Sequence, residues 1–490
     1  MFMRIPELLS PAGTLKNMRY AFAYGADAVY AGQPRYSLRV RNNDFLEDNL
    51  AIGIHEAHSL GKKFFVAMNV MPHNAKVRTF LKDAEPIIEM QPDALIMADP
   101  GLMMMVRERW PDMPIHLSVQ ANTVNYAGVK FWKSVGVERV ILSRELSLDE
   151  IAEIRQECPD TELEVFVHGA LCIAYSGRCL LSGYFNHRDP NQGTCTNSCR
   201  WEYKTLPAEE DAAGVIRHAE GYPAFRLSGH AAHSSAAPGG AFPAEAVISL
   251  DALNASMKEV TQGFDAARAG VGGDRRHPLA DQVYLLEEAS RPGELMPIFE
   301  DEHGTYIMNS KDLRAIEHVY RLAQIGVDCL KIEGRTKSHY YVARTAQIYR
   351  QAIDDAVAGK PFNPELLGKL ESLASRGYTD GFFERHHTQD YQNYISGASQ
   401  NNTQQFVGEI AGMDIQRGMA EVTVKNKISL GDRLELMLPS GNHDFVVEQM
   451  IDQRANPIEV APGDGWKIRI PLPVDVSAEE MKLALLARYL

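Results

Sequence analysis

The runs AVYAG at residues 28–32 and KFFVAMNV at residues 63–70 flank LEDNLAIGIHEAHSL at residues 46–60, whose apolar side chains recur at helical spacing. Two short β-rich runs joined through an amphipathic helix form a strand–helix–strand unit, and such units build a parallel sheet. The rhythm continues in both directions. Upstream lie the strand Glu7–Ser10 and the helix Asn17–Tyr24. Downstream lie the helix Val77–Met90, the strands Ala94–Ala98 and Ile115–Gln120, the helix Ala127–Val135, and the strands Arg139–Arg144 and Leu163–His168. Eight units of this kind close into a barrel. Tyr306–Met308 and Cys329–Glu333 bring the candidate strands to nine. Cys329–Glu333 is taken as the closing strand, because a helix Leu313–Ile325 precedes it and a long amphipathic helix from Tyr340 to Val357 follows it. Tyr306–Met308 is then a short extra strand.

The predicted fold class is α/β: a (β/α)8 TIM-like barrel over residues 1–377, followed by a small C-terminal β-barrel domain. Residues 205–281, rich in Ala, Gly, His and Pro, read as a flexible insertion within which Glu245–Val260 has a helical pattern. Residues 378–403 read as a polar linker. Five alternating strand patterns over 404–476 give the small β-barrel, and 477–490 is left as a tail.

The 490-residue chain has a formal net charge of -14, which argues against a protein that coats nucleic acid through a basic surface but leaves room for a local basic patch on one folded RNA. No leader pattern and no apolar run long enough to span a bilayer is present, so the reading is cytoplasmic with no membrane partner. Cysteines in a reducing compartment hold metal or do chemistry more often than they form disulfides.

Four of the six cysteines, Cys172, Cys179, Cys195 and Cys199, fall within one segment, in HGALCIAYSGRC and GTCTNSC. Four convergent thiolates suit zinc or an iron–sulfur cluster, and the spacing does not choose between them. Cys158 and Cys329 lie apart and read as packing residues.

The run EVFVHGALC at 164–172, with YSGRCLLS at 175–182, resembles the signature of the collagenase-like peptidase family, whose catalytic type was never assigned. Further matches are ELLSPAGTLKNMRYAFAYGADAVYAG at 7–32, DEHGTYIMNSKDL at 301–313, LKIEGRTKS at 330–338 and VKNKISLGDRLELMLP at 424–439. The resemblance covers most of the chain outside 205–281, where the insertion is longer and richer in Ala and Gly than the family pattern. It is strongest to the tRNA-modifying branch of the family. It implies a (β/α) barrel carrying an iron–sulfur cluster, 4Fe-4S, on Cys172, Cys179, Cys195 and Cys199. The implied reaction is oxygen-independent formation of 5-hydroxyuridine at the wobble position of tRNA, with prephenate as co-substrate and hydroxyl donor.

In such a barrel the reactive end is built by the loops after the strands. His168 ends the seventh strand just before the cysteine segment and is a candidate proton carrier, with a structural histidine as the alternative. Asn69, Gln120, Asn122, Ser143 and Arg144 sit at comparable strand ends as pocket candidates. Prephenate carries two carboxylates, which guanidinium groups bind through paired hydrogen bonds. Arg335 and Arg178 are the clamps assigned on that ground, and Glu333 beside them is either catalytic or half of a structural ion pair. The loop Gln33–Asn42, with Arg39, Arg41 and the ring of Tyr36, reads as an RNA contact, or as a solvated basic loop. The competing functions are a metal-dependent or cysteine peptidase and a non-catalytic RNA-binding protein with a structural cluster. Against the peptidase, the chain has no H-E-x-x-H; His55-Glu56-Ala57-His58 spaces its histidines at i and i+3.

Overall fold

The structure is a computed structural model that describes residues 4–33, 35–37, 44–171, 174–175, 178–179, 203–210, 216–218, 225–226, 284–288, 295–301, 304–307, 311–373, 377–384, 404–414, 417–474 and 476–490, with backbone alone between 174 and 307. The chain divides into two units. The first comprises residues 1–177, 312–386 and 400–490, and the second comprises 178–311 and 387–399.

The first unit is built on β1 (Glu7–Pro11), β2 (Ala28–Gly32), β3 (Lys63–Met68), β4 (Ala94–Met97), β5 (Ile115–Leu117), β6 (Arg139–Ile141), β7 (Glu162–Ala170) and β8 (Cys329–Ile332). Each strand pairs in parallel with the next, and β8 pairs with both β7 and β1, which closes the ring. Cys329–Ile332 is therefore the closing strand, as its flanking helices required. Helices begin where the loops after the strands supply a capping side chain: Thr14 before Leu15–Ala23, Asp99 before Pro100–Arg109, Asn125 before Tyr126–Ser134 and Ser338 before His339–Val357. Ser147 and Glu150 form a reciprocal capping box on helix Leu148–Glu157.

Three expectations need correction here. Leu313 does not open a helix: Asp312–Arg314 is a strand, and only Val319–Ile325 is α-helical. The reason lies in β7, whose nine residues outrun its barrel neighbours. Its last backbone groups need partners and find them in Asp312–Arg314, antiparallel, which is flanked in turn by Tyr378–Thr379. Residue 378 accordingly starts in a strand rather than in a linker. Val77–Met90 is two helices, Asn74–Val77 and Phe80–Glu89.

The second unit contains an antiparallel sheet in the order Ile216–His218, Tyr203–Glu210, Tyr284–Glu288, Leu295–Asp301, Gly304–Ile307, with Phe225–Arg226 also against Tyr203–Glu210. Tyr306 thus belongs to this sheet and not to the barrel. The insertion read from Thr205 begins inside a strand, and the helical pattern Glu245–Val260 lies outside the described residues.

The C-terminal β domain is an antiparallel seven-stranded sheet accompanied by the pair Asn426–Ser429 and Val460–Gly463. The segment read as a tail is a correction: Leu485–Tyr489 lies inside that sheet between Arg433–Leu438 and Gln404–Asp414, with Leu485, Leu486 and Ala487 fully buried. Its apolar run LALLA has no stable place in water. Arg344 of helix His339–Val357 is wholly buried against Glu435 and Gln404 of this domain, and Tyr24 donates to the carbonyls of Met437 and Leu483 at 3.0 and 2.9 Å.

Candidate functional site at the carboxyl end of the barrel

Side chains from strands that are not neighbours can meet only through the barrel interior. Arg139 of β6 reaches Glu7 of β1 at 2.6 Å and Glu164 of β7 at 3.4 Å, and Lys331 of β8 reaches Glu164 at 2.7 Å. The lower lumen is therefore a charged network. Burial alone would raise the Glu7 carboxyl, yet Arg139 and Lys63 outweigh it and hold it below the usual range. His116 of β5, edge-on to Phe65, is held far below its usual value by burial and by the cations Arg139, Lys331 and Lys63, so its imidazole is neutral.

Above this network Lys331 lies 4.3 Å from the ring centroid of Tyr30 and 5.3 Å from that of Phe166. The Arg144 guanidinium caps Phe166 at 3.7 Å and donates to Glu333 at 3.1 Å. Arg335 also lies over Tyr30, at 5.7 Å, and donates to Ser37 at 2.7 Å. Gly32 makes this approach possible, because a Cβ there would stand 2.2 Å from Arg335 Nη1. Around the rim, Asn69 donates to Ser118 at 3.3 Å, and Asn122, in the left-handed region at φ 58°, accepts from Ser143 at 3.2 Å. The Gln120 carbonyl oxygen is buried with no hydrogen-bond partner among the described residues.

Six of the residues singled out in the sequence thus stand at the carboxyl ends of β3, β5, β6 and β8: Asn69, Gln120, Asn122, Arg144, Glu333 and Arg335. Two guanidinium groups stand there, Arg144 on Glu333 and Arg335 on Ser37. This arrangement suits an anionic ligand, with a buried amide oxygen left to take a donor.

His168 is not among them. The β7–β8 register shifts by one residue between Lys331, opposite Phe166, and Ile332, opposite His168. That bulge turns the imidazole out of the lumen and against helix His339–Val357. There it sits among the rings of Tyr341, Tyr349 and Tyr378, with centroids at 5.8, 5.5 and 5.5 Å and the Tyr349 hydroxyl 3.3 Å from Nδ1. Burial above all, with Arg314 and Lys337 adding to it, lowers its pKa to about 3.

Tyr36 is also not a stacking platform. It is fully buried, packs edge-on to Phe80 and donates to Asp83 at 2.7 Å. Arg39 and Arg41 lie outside the described residues. Arg178 and Cys179 lie on the short strand Arg178–Cys179, where only the backbone is described, and Cys172, Cys195 and Cys199 lie outside the described residues. The donor set itself, four thiols within one segment, matches the chemistry of an iron–sulfur cluster. The other two cysteines, Cys158 and Cys329, are buried, and burial pushes both thiols up. His55 and His58 are exposed on helix Glu47–Ser59, with Glu56 paired to Arg19 at 2.6 Å and His58 to Asp93 at 3.1 Å.

The sequence reading missed Ser37, Ser118, Tyr30, Phe166 and the Arg139–Glu164–Lys331 network. A signal existed for the last: Glu164 and Lys331 are lone charges inside otherwise apolar strands, and such charges need buried partners.

The fold and site define a (β/α)8-barrel protein with a charged lumen, a cysteine-rich segment after its seventh strand and an appended β domain. The chain belongs to peptidase family U32: the family profile matches residues 13–238 and 260–393, and that of the U32 C-terminal domain matches 402–484. It is 58% identical over 483 residues to tRNA hydroxylation protein P of Escherichia coli, covering 99% of this chain and 96% of that one. The protein of the same name in Haemophilus influenzae is 57% identical, with the same coverage. A 23S rRNA 5-hydroxycytidine C2501 synthase of E. coli is 36% identical over 212 residues, covering 43% of this chain and 31% of that one. Among the described residues, no helix is long and apolar enough to cross a membrane.

Proposed function

We propose that this chain is a tRNA hydroxylase that forms 5-hydroxyuridine at the wobble position without oxygen, using prephenate as hydroxyl donor. The observation that carries the reading is near full-length identity to proteins named for tRNA hydroxylation. The partial relative named as an rRNA hydroxycytidine synthase supports hydroxylation of a pyrimidine at C5 as the reaction class.

In this reading Arg144 and Arg335 hold the two carboxylates of prephenate. Glu333 fixes the Arg144 guanidinium through the 3.1 Å contact, and Ser37 fixes that of Arg335. Gln120 accepts a donor from the ligand or the base. Cys172, Cys179, Cys195 and Cys199 would hold a 4Fe-4S cluster, which when bound supplies electron transfer, or Lewis acidity if only three thiolates ligate it.

The test is nucleoside mass spectrometry of tRNA from a strain lacking the gene, complemented with the wild type or with single variants. Loss of 5-hydroxyuridine derivatives, restored by the wild type but not by Cys172→Ala or Arg335→Ala, is the expected result. Unchanged 5-hydroxyuridine derivatives in the deletion strain would overturn the reading. Cells unable to make prephenate should lose the same nucleosides, and anaerobic growth should leave them in place.

A further inference from the structure

We propose that Glu317, His318 and Asp380 form a binding site for one divalent transition-metal cation, built from none of the residues named at the barrel mouth. Asp312–Arg314 and Tyr378–Thr379 pair in parallel, so the chain leaves both strands on the same side. The first strand runs into the turn Ile316–His318, and Asp380 directly follows the second. Two parallel strand ends thus bring together residues more than sixty positions apart, and one donor atom from each of the three lies within 4.8 Å of the others.

The histidine sets this group apart from an ordinary acidic cluster. His318 is only 6% exposed, and its Nε2 makes no hydrogen bond. That nitrogen points between two carboxylates, 3.4 Å from Asp380 Oδ2 and 3.8 Å from Glu317 Oε1. A buried imidazole nitrogen that has carboxylates beside it but makes no hydrogen bond is under-satisfied unless something occupies the space between them. A cation there would accept the imidazole lone pair and one oxygen from each carboxylate.

The rest of the ring is held as a ligand's would be. Nδ1 faces Glu384 at 3.8 Å, and the edge of Phe383 packs on the ring with centroids 5.8 Å apart. A carboxylate on the side of the second nitrogen is a common neighbour of a metal-bound histidine, and Glu384 stands there at ion-pair distance. Glu317 is exposed and leaves one face open to water or a further ligand. One imidazole with two carboxylates favours Mn2+, Fe2+ or Zn2+ over the all-oxygen sites of Ca2+ and Mg2+. The ion would tie the turn after Arg314 to the segment after Thr379, at the strands that extend the barrel sheet beyond β7.

The experiment is Mn2+ titration of the full-length chain, stripped with chelator, read by the loss of the free-ion electron paramagnetic resonance signal. Mn2+ is the probe because thiolates compete poorly for it. The expected result is one Mn2+ per chain at sub-millimolar affinity and a rise in Tm of about a few degrees. Glu317→Gln and Asp380→Asn should weaken binding tenfold or more, and His318→Ala should abolish it. Cys172→Ala with Cys195→Ala should leave it intact. Glu317→Gln changes an exposed side chain, so it tests the site even if the buried His318→Ala fails to fold. No Mn2+ binding by the wild type, or equal affinity in Glu317→Gln and Asp380→Asn, would overturn the proposal and leave His318 as an ion-pair partner of two acids.

Discussion

The two ends of one barrel lumen handle charge in opposite ways. At the amino end, Arg139 serves three carboxylates, those of Glu7, Glu162 and Glu164, and Lys63 and Lys331 complete the set. A cavity of about 410 Å³ opens beside it, lined by Arg4, Lys62, Asp27 and Asp328 among others, and those four are themselves ion-paired. At the carboxyl end, Arg144 pairs with Glu333, Arg335 donates to Ser37, and the Gln120 side-chain oxygen has no hydrogen-bond partner among the described residues. A buried network of paired charges holds a fold together, whereas a buried acceptor left without a hydrogen bond is prepared for a ligand. The cavity at the amino end is therefore not the better site.

The strongest test of this contrast is at the amino end. Arg139→Met leaves the Glu164 carboxylate, fully buried, without one of its two cations, and should cost about 3–5 kcal/mol of stability, read by urea denaturation. A loss below about 1 kcal/mol would mean that the network is not structural. Gly32→Ala comes next, because its Cβ collides with Arg335 Nη1 and Ser37. A destabilisation of about 1–3 kcal/mol, together with loss of tRNA hydroxylation, is expected. Arg335→Lys keeps the charge but not the planar fork, so it should cut tRNA hydroxylation about tenfold while Tm moves little. An equal fall in Tm would place Arg335 with the structural end.

The smallest effect concerns pH. The folded pKa of His168, about 3, lies below the ordinary histidine value, so the unfolded chain binds its proton first. Its contribution to stability is whole above about pH 6.5 and is lost as pH falls toward 3, with a slope of at most about 1.4 kcal/mol per pH unit. His116, also held low, acts in the same direction. His168→Gln should flatten the acid limb of the stability profile relative to wild type. An unchanged limb would show that the imidazole is not sequestered among its tyrosines.

Much of the barrel was legible because each parallel strand, buried on both faces, is a short and nearly continuous apolar run followed by an amphipathic helix. Asp312–Arg314 and Leu485–Tyr489 escaped for the opposite reason. Neither carries a strand alternation of its own: the first exists because β7 overruns the barrel and needs a partner, the second because its apolar run is buried beside Gln404–Asp414. At the site, Arg144, Glu333 and Arg335 were legible as strand-end charges. Tyr36 was misread because a tyrosine in a basic loop looks the same in sequence whether its ring is solvated or, as here, buried against Phe80.

The sequence by itself determined the barrel strands, the choice of Cys329–Glu333 to close them, and the four cysteines that follow the seventh, because apolar periodicity and residue chemistry are local properties. Only the tertiary structure decided which polar groups face one another. The one-residue bulge between β7 and β8 carries no sequence mark, yet it sends Phe166 and Lys331 into the lumen and His168 to the tyrosines outside. A side chain's face depends on register with a partner strand more than 160 residues away, and register is settled by packing.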